Sequence, residues 1–262
     1  MTPLLQGRAC LVSGVGAGTG RAVALALARE GGDLVLACRT ERVAQEIAKE
    51  VEGAGARAMP VVADITKAED RAKLVEVATK AYGGIDVLVN NAFATGRPGS
   101  LESIDIAKTW RTPFEVNVFG TLLMTQAVVP AMKQRGGGSI VMIGTMAARR
   151  PEALLAGYGV SKAALLAATQ SFASELGRYK IRVNCVVPGA IDGPNLRVLF
   201  QNEAARLGQS EAEVQKRFAA RAPLDHIATP EEVAAAVLFF ASGMSSAVTG
   251  QSLDVNCGEW FG

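Results

Sequence analysis

The stretch SGVGAGTGRA, residues 13–22, stands directly after the short apolar run ACLV of residues 9–12. Its glycines follow a GxxxGxG spacing, and a segment of helical length opens behind them. Such glycines permit a tight turn and the close approach of a pyrophosphate, which the N–H groups and dipole of the following helix would face. After a first strand, this loop predicts a dinucleotide site with contacts at Gly14, Gly18, Thr19 and Gly20. The alternative is a plain glycine-rich turn between a strand and a helix.

The rest of the chain repeats one unit, a short apolar run followed by an amphipathic segment of helical length. The predicted strands are residues 9–13, 34–38, 61–63, 87–90, 139–144, 182–187 and 252–255. Several are continuous runs of Val, Ile and Leu, as is typical of parallel strands buried on both faces. The helices predicted at 21–29 and 67–82 each end at a glycine pair. This alternation predicts an α/β fold, a Rossmann-type doubly wound parallel sheet of about seven strands in three α/β/α layers.

Neither a linker nor a repeat nor a low-complexity tract divides the sequence, so residues 1–262 are predicted to form one dinucleotide-binding and catalytic domain. The strand pattern lapses at residues 192–221 into charged, helix-like segments. Insertions beside the carboxyl ends of parallel strands often cover a substrate. We therefore predict a substrate lid at residues 192–221.

Composition excludes several classes of function. Apolar residues make up 49% of the chain and charged residues 20%, and the net charge of +2 is too small to favour nucleic acid or a membrane surface. The four cysteines are far apart, which predicts free thiols in a reducing cytoplasm and no metal site. The N-terminus leads straight into a strand-like segment, so no export signal is expected. Because His226 is the only histidine, we do not expect a catalytic histidine.

The end of the second predicted strand, LVLACRTER at residues 34–42, bears on the choice of cofactor. An NAD-specific site usually has an acidic residue here to hold the ribose 2′-hydroxyl group. Cys38 takes that place, and Arg39 and Thr40 follow it with groups that can bind a 2′-phosphate. We predict a preference for NADP(H). NAD(H) stays open because Ala17 in the glycine loop offers no second cation, and Arg39 alone would also suit a solvated turn.

Five segments occur in a fixed order: SGVGAGTG, VADI, NNAF, FEVNVFG and YGVSK. In this combination the chain resembles the short-chain dehydrogenases/reductases from about Gly7 to Gly258. The resemblance implies a catalytic pair at Tyr158 and Lys162, and an Asn117 that holds a water in a proton relay. It implies a homotetramer or homodimer. It also implies cofactor contacts at Asp64, Ile65, Asn90, Asn91, Ala92, Pro188, Gly189 and Ile191, besides the catalytic pair itself.

Tyr158 and Lys162 stand four residues apart, so on a helix they share one face. A free tyrosine titrates near pH 10, and a neighbouring ammonium group is expected to lower that pKa. Tyr158 would then exchange a proton with a substrate oxygen more readily. Taken alone, the pair is also compatible with an exposed helical tyrosine and lysine.

Thr145 lies 13 residues before Tyr158, where the family has a serine that polarises the substrate oxygen. Threonine carries the same hydroxyl group, although its methyl group restricts rotamers and crowds the site. We predict the serine's role for Thr145, and a strand-end threonine without a catalytic part is the alternative. Further departures from the family are Phe93 in place of a glycine, Gly193 in place of a threonine, and VNCG at residues 255–258. They predict a shifted pocket or weaker cofactor binding.

Together these features predict an oxidoreductase that moves a hydride between NADP(H), or NAD(H), and a secondary alcohol or ketone with an apolar body. The small-molecule pocket is expected to include Leu154, Leu155, Leu196, Val198, Leu199 and Phe200. One alternative is a 3-oxoacyl carrier-protein reductase with a basic face made of Arg197, Arg206, Lys216, Arg217 and Arg221. Another is a nicotinamide-cofactor-binding sensor without catalysis.

Overall fold

The computed structural model describes residues 2–262, apart from the side chain at position 195. Seven parallel strands form one sheet in the order β3-β2-β1-β4-β5-β6-β7. They are β1 (Ala9–Ser13), β2 (Asp33–Cys38), β3 (Ala58–Val62), β4 (Val87–Asn90), β5 (Gly138–Ile143), β6 (Ile181–Pro188) and β7 (Ser252–Val255). The strand order reverses between β1 and β4, which opens a crevice at their carboxyl ends. The predicted Rossmann-type fold is confirmed.

Helices cover both faces of the sheet. They are α1 (Thr19–Arg29), α2 (Glu41–Gly53), α3 (Ala68–Tyr82), α4 (Ile106–Thr109), α5 (Arg111–Pro113), α6 (Thr121–Gln134), α7 (Ala156–Leu176), α8 (Pro194–Leu207), α9 (Glu211–Ala219) and α10 (Pro230–Ala241). Neighbouring strand residues point to opposite faces, so Cys10 and Val12 pack with α1, α2 and α10, whereas Leu11 packs with α3, α6 and α7. Each face therefore has its own apolar core.

The largest difference from the predicted strands is at β3, which begins at Ala58 rather than at residue 61. Ala58 pairs with Leu34 of β2, and the ladder continues through Pro60. Proline is tolerated here because β3 is an edge strand and its outer side needs no donor. The residue pattern missed this start because half of the strand is exposed.

The helical run Ile106–Gln134 joins α4, α5, a π-helical turn (Phe114–Gly120) and α6. By length and composition alone it is long and apolar enough to cross a membrane, a test that core helices of sheet proteins also pass. Met124, Val128 and Met132 are buried against the sheet. The run therefore has the contacts of a core helix.

Residues 192–221 contain α8 and α9. Phe200 and Ala204 of α8 meet Val214 of α9 and Ile227 in an apolar cluster separate from the two that cover the sheet. This segment, called the lid segment below, is therefore built as a small unit of its own. Its action as a lid stays a prediction, as does the description of residues 1–262 as one domain.

Candidate active site

A cleft lies at the carboxyl ends of the strands, where the strand order reverses. It consists of two adjoining cavities of about 350 and 580 Å³ that share Gly14, Gly16, Ala17 and Phe93. Thr145, Tyr158 and Lys162 line the first cavity. Arg39, Thr40, Asp64 and Ile65 line the second. The predicted reacting groups and the predicted cofactor contacts at Arg39, Thr40, Asp64 and Ile65 thus lie at opposite ends of one cleft.

The glycine loop lines the middle of the cleft and cannot carry side chains at two of its glycines. Gly14 has φ +72°, and a Cβ there would stand 2.4 Å from the Ala92 Cα. A Cβ at Gly20 would stand 2.7 Å from the Gly14 carbonyl oxygen. Asn91 Nδ2 donates to that same oxygen at 2.6 Å, which fixes the turn. The bare loop at the start of α1 fits a pyrophosphate, since the first residues of α1 line the cleft there and a helix N-terminus favours an anion.

The far end of the cleft has groups suited to a ribose and its phosphate. The Cys38 thiol donates to the Thr40 carbonyl oxygen at 3.0 Å and so fixes the turn that carries Arg39. Asp64 accepts from the Thr66 main-chain N–H at 2.9 Å and from its hydroxyl group at 2.8 Å. Burial raises the pKa of Asp64, but the Thr66 bonds and the Arg39 charge lower it overall. Asp64 is therefore held as a carboxylate.

Of Asn90, which ends β4, and the two residues that follow it, only the latter two reach the cleft. Asn91 and Ala92 line it. Asn90 instead is buried on the opposite side of the strand, where its Nδ2 donates to Thr125 Oγ1 at 2.9 Å. The structure does not bring Asn90 to the predicted cofactor contact, because consecutive strand residues point to opposite faces. Its side chain ties β4 to α6.

Lys162 and Tyr158 stand on the first two turns of α7. Lys162 is fully buried, and its Nζ donates to the Ile143 carbonyl oxygen at 2.7 Å. Burial lowers the pKa of Lys162 to about 8. Burial also raises the pKa of Tyr158, although a hydrogen bond with Thr145 counteracts the rise. Burial outweighs the Thr145 hydrogen bond, so the pKa of Tyr158 lies above its usual value in this structure, and the expected lowering by Lys162 stays a prediction.

Thr145 lines the same cavity as Tyr158, and its hydroxyl group can form a hydrogen bond with the phenol. Its Oγ1 accepts from the Ala147 N–H at 3.3 Å, at the start of a short 3₁₀ turn. The sequence around Tyr158 allows α7 to come close to this turn. A Cβ at Gly159 would stand 2.9 Å from the Ala147 carbonyl oxygen, and one at Gly157 would stand 2.7 Å from Trp110. The small residues of AGYGVSK therefore serve helix packing.

Asn117 lies in the π-helical turn and is completely buried. Its Oδ1 accepts from the Ala94 N–H at 2.8 Å, and its Nδ2 donates to the Ala94 carbonyl oxygen at 2.8 Å and to Ser161 Oγ at 2.9 Å. Both amide hydrogens are used, so the side chain has none left to donate to the predicted relay water. In this structure its amide group joins the loop after β4 to α7. Such π-helical turns are common at functional sites.

The residues that line the substrate pocket were predicted less well than the reacting residues Tyr158, Lys162 and Thr145. Of the six apolar residues expected to line the pocket, Leu196 does so. Val198 and Leu199 are exposed, and Phe200 is buried inside the lid segment. Phe93 lines both cavities, with its ring centre 6.4 Å from that of Tyr158. The cleft-lining residues that the sequence did not indicate include Ile143, Pro194 and Pro230.

Known proteins share this architecture and length. A family model described as enoyl-(acyl carrier protein) reductase matches residues 14–259. Dehydrogenase/reductase SDR family member 4 of Bos taurus is 37% identical over 255 residues, which are 97% of this chain and 88% of the relative. The chain belongs to the short-chain dehydrogenase/reductase family. A 3-oxoacyl-[acyl-carrier-protein] reductase of Thermotoga maritima is 35% identical and covers 97% of this chain and 98% of its own length.

Solved structures of this family agree with the fold. L-sorbose reductase from Gluconobacter frateurii, complexed with NADPH and L-sorbose, has a TM-score of 0.93 at 30% identity and covers 100% of both chains. A 7α-hydroxysteroid dehydrogenase complexed with NADH and 7-oxo glycochenodeoxycholic acid has a TM-score of 0.88 at 31% identity, covering 98% of this chain and 96% of that one. The predicted short-chain dehydrogenase/reductase is thereby confirmed as an NAD(P)-dependent oxidoreductase of alcohol and carbonyl groups.

Proposed function

We propose that this enzyme prefers NADP(H) and interconverts a ketone and a secondary alcohol whose body is apolar. One observation carries the proposal. Tyr158 and Thr145 stand at one end of the cleft, and Arg39 with Thr40 stands at the other. A single extended dinucleotide would span the two ends.

The chemistry follows from the protonation of the reacting groups. A bound nicotinamide supplies or accepts the hydride. The raised pKa of Tyr158 keeps its phenol protonated at neutral pH, so Tyr158 is ready to donate a proton to a carbonyl oxygen. Thr145 lies beside the phenol and offers a second donor to that oxygen. This arrangement suits ketone reduction.

The cofactor preference rests on Arg39. Arg39 lines the ribose end, and the preceding residue, Cys38, has no carboxylate that would repel a phosphate. The solved relatives were complexed with NADPH in one case and NADH in the other, so both nucleotides occur among similar enzymes. Arg39 and Thr40 favour the phosphorylated one.

Substituting Arg39 by Ala tests this preference. We expect the Kd of NADPH to rise about 10- to 100-fold, because a charge-assisted phosphate contact contributes roughly 1.5–3 kcal/mol. The Kd of NADH should change less than about threefold. Arg42→Ala is the matched control, since Arg42 lies three residues further on and pairs with Glu46. Equal losses for both nucleotides, measured by fluorescence titration, would contradict the preference.

The substrate class rests on the lining around Tyr158. Phe93, Ile143 and Leu196 give this cavity apolar walls, and Lys162 is the one charged residue among its lining in residues 2–262. A neutral, apolar ketone fits such walls. A panel of ketones graded by polarity, assayed with the preferred nucleotide, tests this. Turnover confined to polar or charged ketones would contradict it, and no turnover at all would favour the non-catalytic sensor.

A carrier-protein reductase is the second candidate, favoured by the similarity to the Thermotoga maritima enzyme. The expected basic face weighs against it. Arg206 and Arg217 both bond to Glu203, and Arg221 bonds to Glu259. Carboxylates thus offset much of the positive charge that an acidic carrier would need. Comparing the turnover of a 3-oxoacyl carrier protein with that of the same acyl group on a small thiol separates the two candidates.

We also infer self-association and a reducing compartment. Leu224, Leu253 and Phe261 expose apolar surface near β7, an edge strand of the sheet. Edge strands with apolar neighbours favour pairing with a second chain. A homodimer or homotetramer would bury them. The four cysteines are free thiols, which suits the cytoplasm.

A further inference from the structure

One carboxylate connects the lid segment with the loop that carries Thr145. The Glu259 side chain is only 7% exposed, and its Oε1 bonds to Arg150 Nη1 at 2.9 Å and to Arg221 Nη2 at 2.8 Å. Arg221 is the last residue of the lid segment. Arg150 ends residues 145–150, called the catalytic loop below. Glu259 thus holds two segments that flank the substrate end of the cleft.

The VNCG departure at residues 255–258 forms the turn before Glu259. Cys257 has φ +56° and Gly258 has φ +85°, so two left-handed residues reverse the chain. Asn256 closes the turn, since its Oδ1 accepts from the Gly258 N–H at 2.9 Å and its carbonyl oxygen accepts from the Glu259 N–H at 3.0 Å. A left-handed non-glycine residue costs about 1–2 kcal/mol. The turn directs the Glu259 side chain towards Arg150 and Arg221, and its ion pairs with these two residues offset that cost.

The catalytic loop has a second anchor, which the lid segment does not share. Arg149 bonds to Asp254 and to Ser252, both on β7. Loss of Glu259 therefore leaves the catalytic loop tied to the sheet. The lid segment loses its contact at Arg221, which lies over the Phe218 ring at the edge of the apolar cluster that is separate from the sheet.

We propose that Glu259 is a positioning residue for substrate binding, which holds the lid segment closed over the cleft through Arg221. The lid segment supplies Pro194 and Leu196 to the apolar wall near Tyr158. No residue of the lid segment lines the ribose end of the cleft, as far as residues 2–262 describe it. Glu259 therefore acts on the affinity for substrate more than on that for the ribose phosphate. This inference rests on the proposed function.

Kinetics of Glu259→Gln test the inference, because glutamine keeps the size of the side chain and removes its charge. We expect the KM of an apolar ketone to rise about tenfold, as follows from losing about 1.4 kcal/mol. The kcat and the Kd of NADPH should stay within about twofold. Glu203→Gln is the matched control, since Glu203 also pairs with two arginines but lies inside the lid segment. Its KM should match that of the wild type.

Amide hydrogen exchange gives a readout that needs no turnover. In Glu259→Gln we expect faster exchange across residues 192–221 and unchanged exchange in β5. Arg221→Gln should do the same while leaving Glu259 bonded to Arg150. The double variant should add little to either single change, because both break one connection. If Glu259→Gln fails to fold, the exchange of residues 192–221 in Arg221→Gln tests the inference instead.

The outcomes separate the two proposals. If the wild type turns ketones over but Glu259→Gln leaves KM and lid exchange at the level of Glu203→Gln, the positioning role is wrong. If KM and kcat change together with the melting temperature while lid exchange does not, Glu259 is structural only and the role is again wrong. If the wild type has no turnover, the proposed function fails by itself, and lid exchange then decides on Glu259.

Discussion

Lys162 carries an ammonium group into the protein interior, where its Nζ contacts the Ile143 carbonyl oxygen. Burial of a charged group favours its neutral form, and this lowers the pKa of Lys162 to about 8. At neutral pH the protein therefore keeps a costly buried charge close to Tyr158. Groups held in this way are typical of functional sites.

The pKa of Lys162 predicts how stability depends on pH. The unfolded lysine titrates near 10.4, so between about pH 8 and 10 the unfolded chain binds more protons than the native one. The free energy of unfolding of the apo enzyme should therefore rise through this range, by roughly 1–2 kcal/mol between pH 7 and 9. The Lys162→Met variant should not show this rise in the free energy of unfolding, because it has no ammonium group to titrate. Urea unfolding of both proteins at the two pH values checks it, and parallel behaviour would contradict the buried charge.

At the level of single residues, the sequence predicted which side chains line the site better than it predicted their pKa values. Tyr158, Lys162 and Thr145 line one cavity, as their spacing suggested. The direction of the pKa shift of Tyr158 was not predictable, because it depends on how much of the phenol the fold buries. Asn90 shows the same limit, since the sequence does not say which face of β4 it occupies.

Among the elements, the π-helical turn joins the loop after β4 to α7. Asn117 leaves this turn to bond both main-chain groups of Ala94 and the Ser161 hydroxyl group. The loop after β4 thereby keeps a fixed distance from α7. The position of Phe93, one residue before Ala94, depends on the same bonds.

Asn117→Ala should destabilise the protein. The change removes three hydrogen bonds and leaves the partly buried N–H and carbonyl groups of Ala94 without their side-chain partner. We expect a loss of about 2–4 kcal/mol in the free energy of unfolding, because unsatisfied buried groups cost about 1–3 kcal/mol each. Asn202→Ala, at an exposed position of α8, should stay within about 0.5 kcal/mol. A loss no larger than that of the control, by urea unfolding, would contradict this role.

Elements with a strong apolar period were predictable, and elements set by distant contacts were not. The buried strands β1 and β4 lie where the sequence placed them. The half-exposed β3 starts earlier because it pairs with β2. In FEVNVFG, nothing in the residue pattern indicates a π-helical turn, since its register depends on packing against Ile65 and α7. The bonds of Glu259 join residues more than 30 positions apart, which no local pattern shows.

At the scale of the whole molecule, the edge of β7 is the surface we propose for binding a second chain. Phe261 is 79% exposed there, and Leu253 and Leu224 expose further apolar surface. A soluble monomer seldom exposes such a patch without a partner.

Phe261→Glu should weaken self-association. In analytical ultracentrifugation we expect the wild type at two or four times the mass of the chain. We expect the dissociation constant of the variant to rise at least tenfold, since a charge replaces an aromatic ring that the interface would bury. Leu101→Glu, an equally exposed position in the loop before α4, is the control. A wild type that sediments as a monomer would contradict the prediction.

Proton donation by Tyr158 is the central claim, and Tyr158→Phe measures it most directly. The substitution removes one hydroxyl group and keeps the ring that faces Phe93. We expect kcat for ketone reduction to fall by about 10²–10⁴-fold, while the Kd of NADPH stays within about threefold. Tyr179→Phe, on the turn after α7, should keep full activity. Ketone reduction by Tyr158→Phe at the rate of the Tyr179→Phe control would contradict the account.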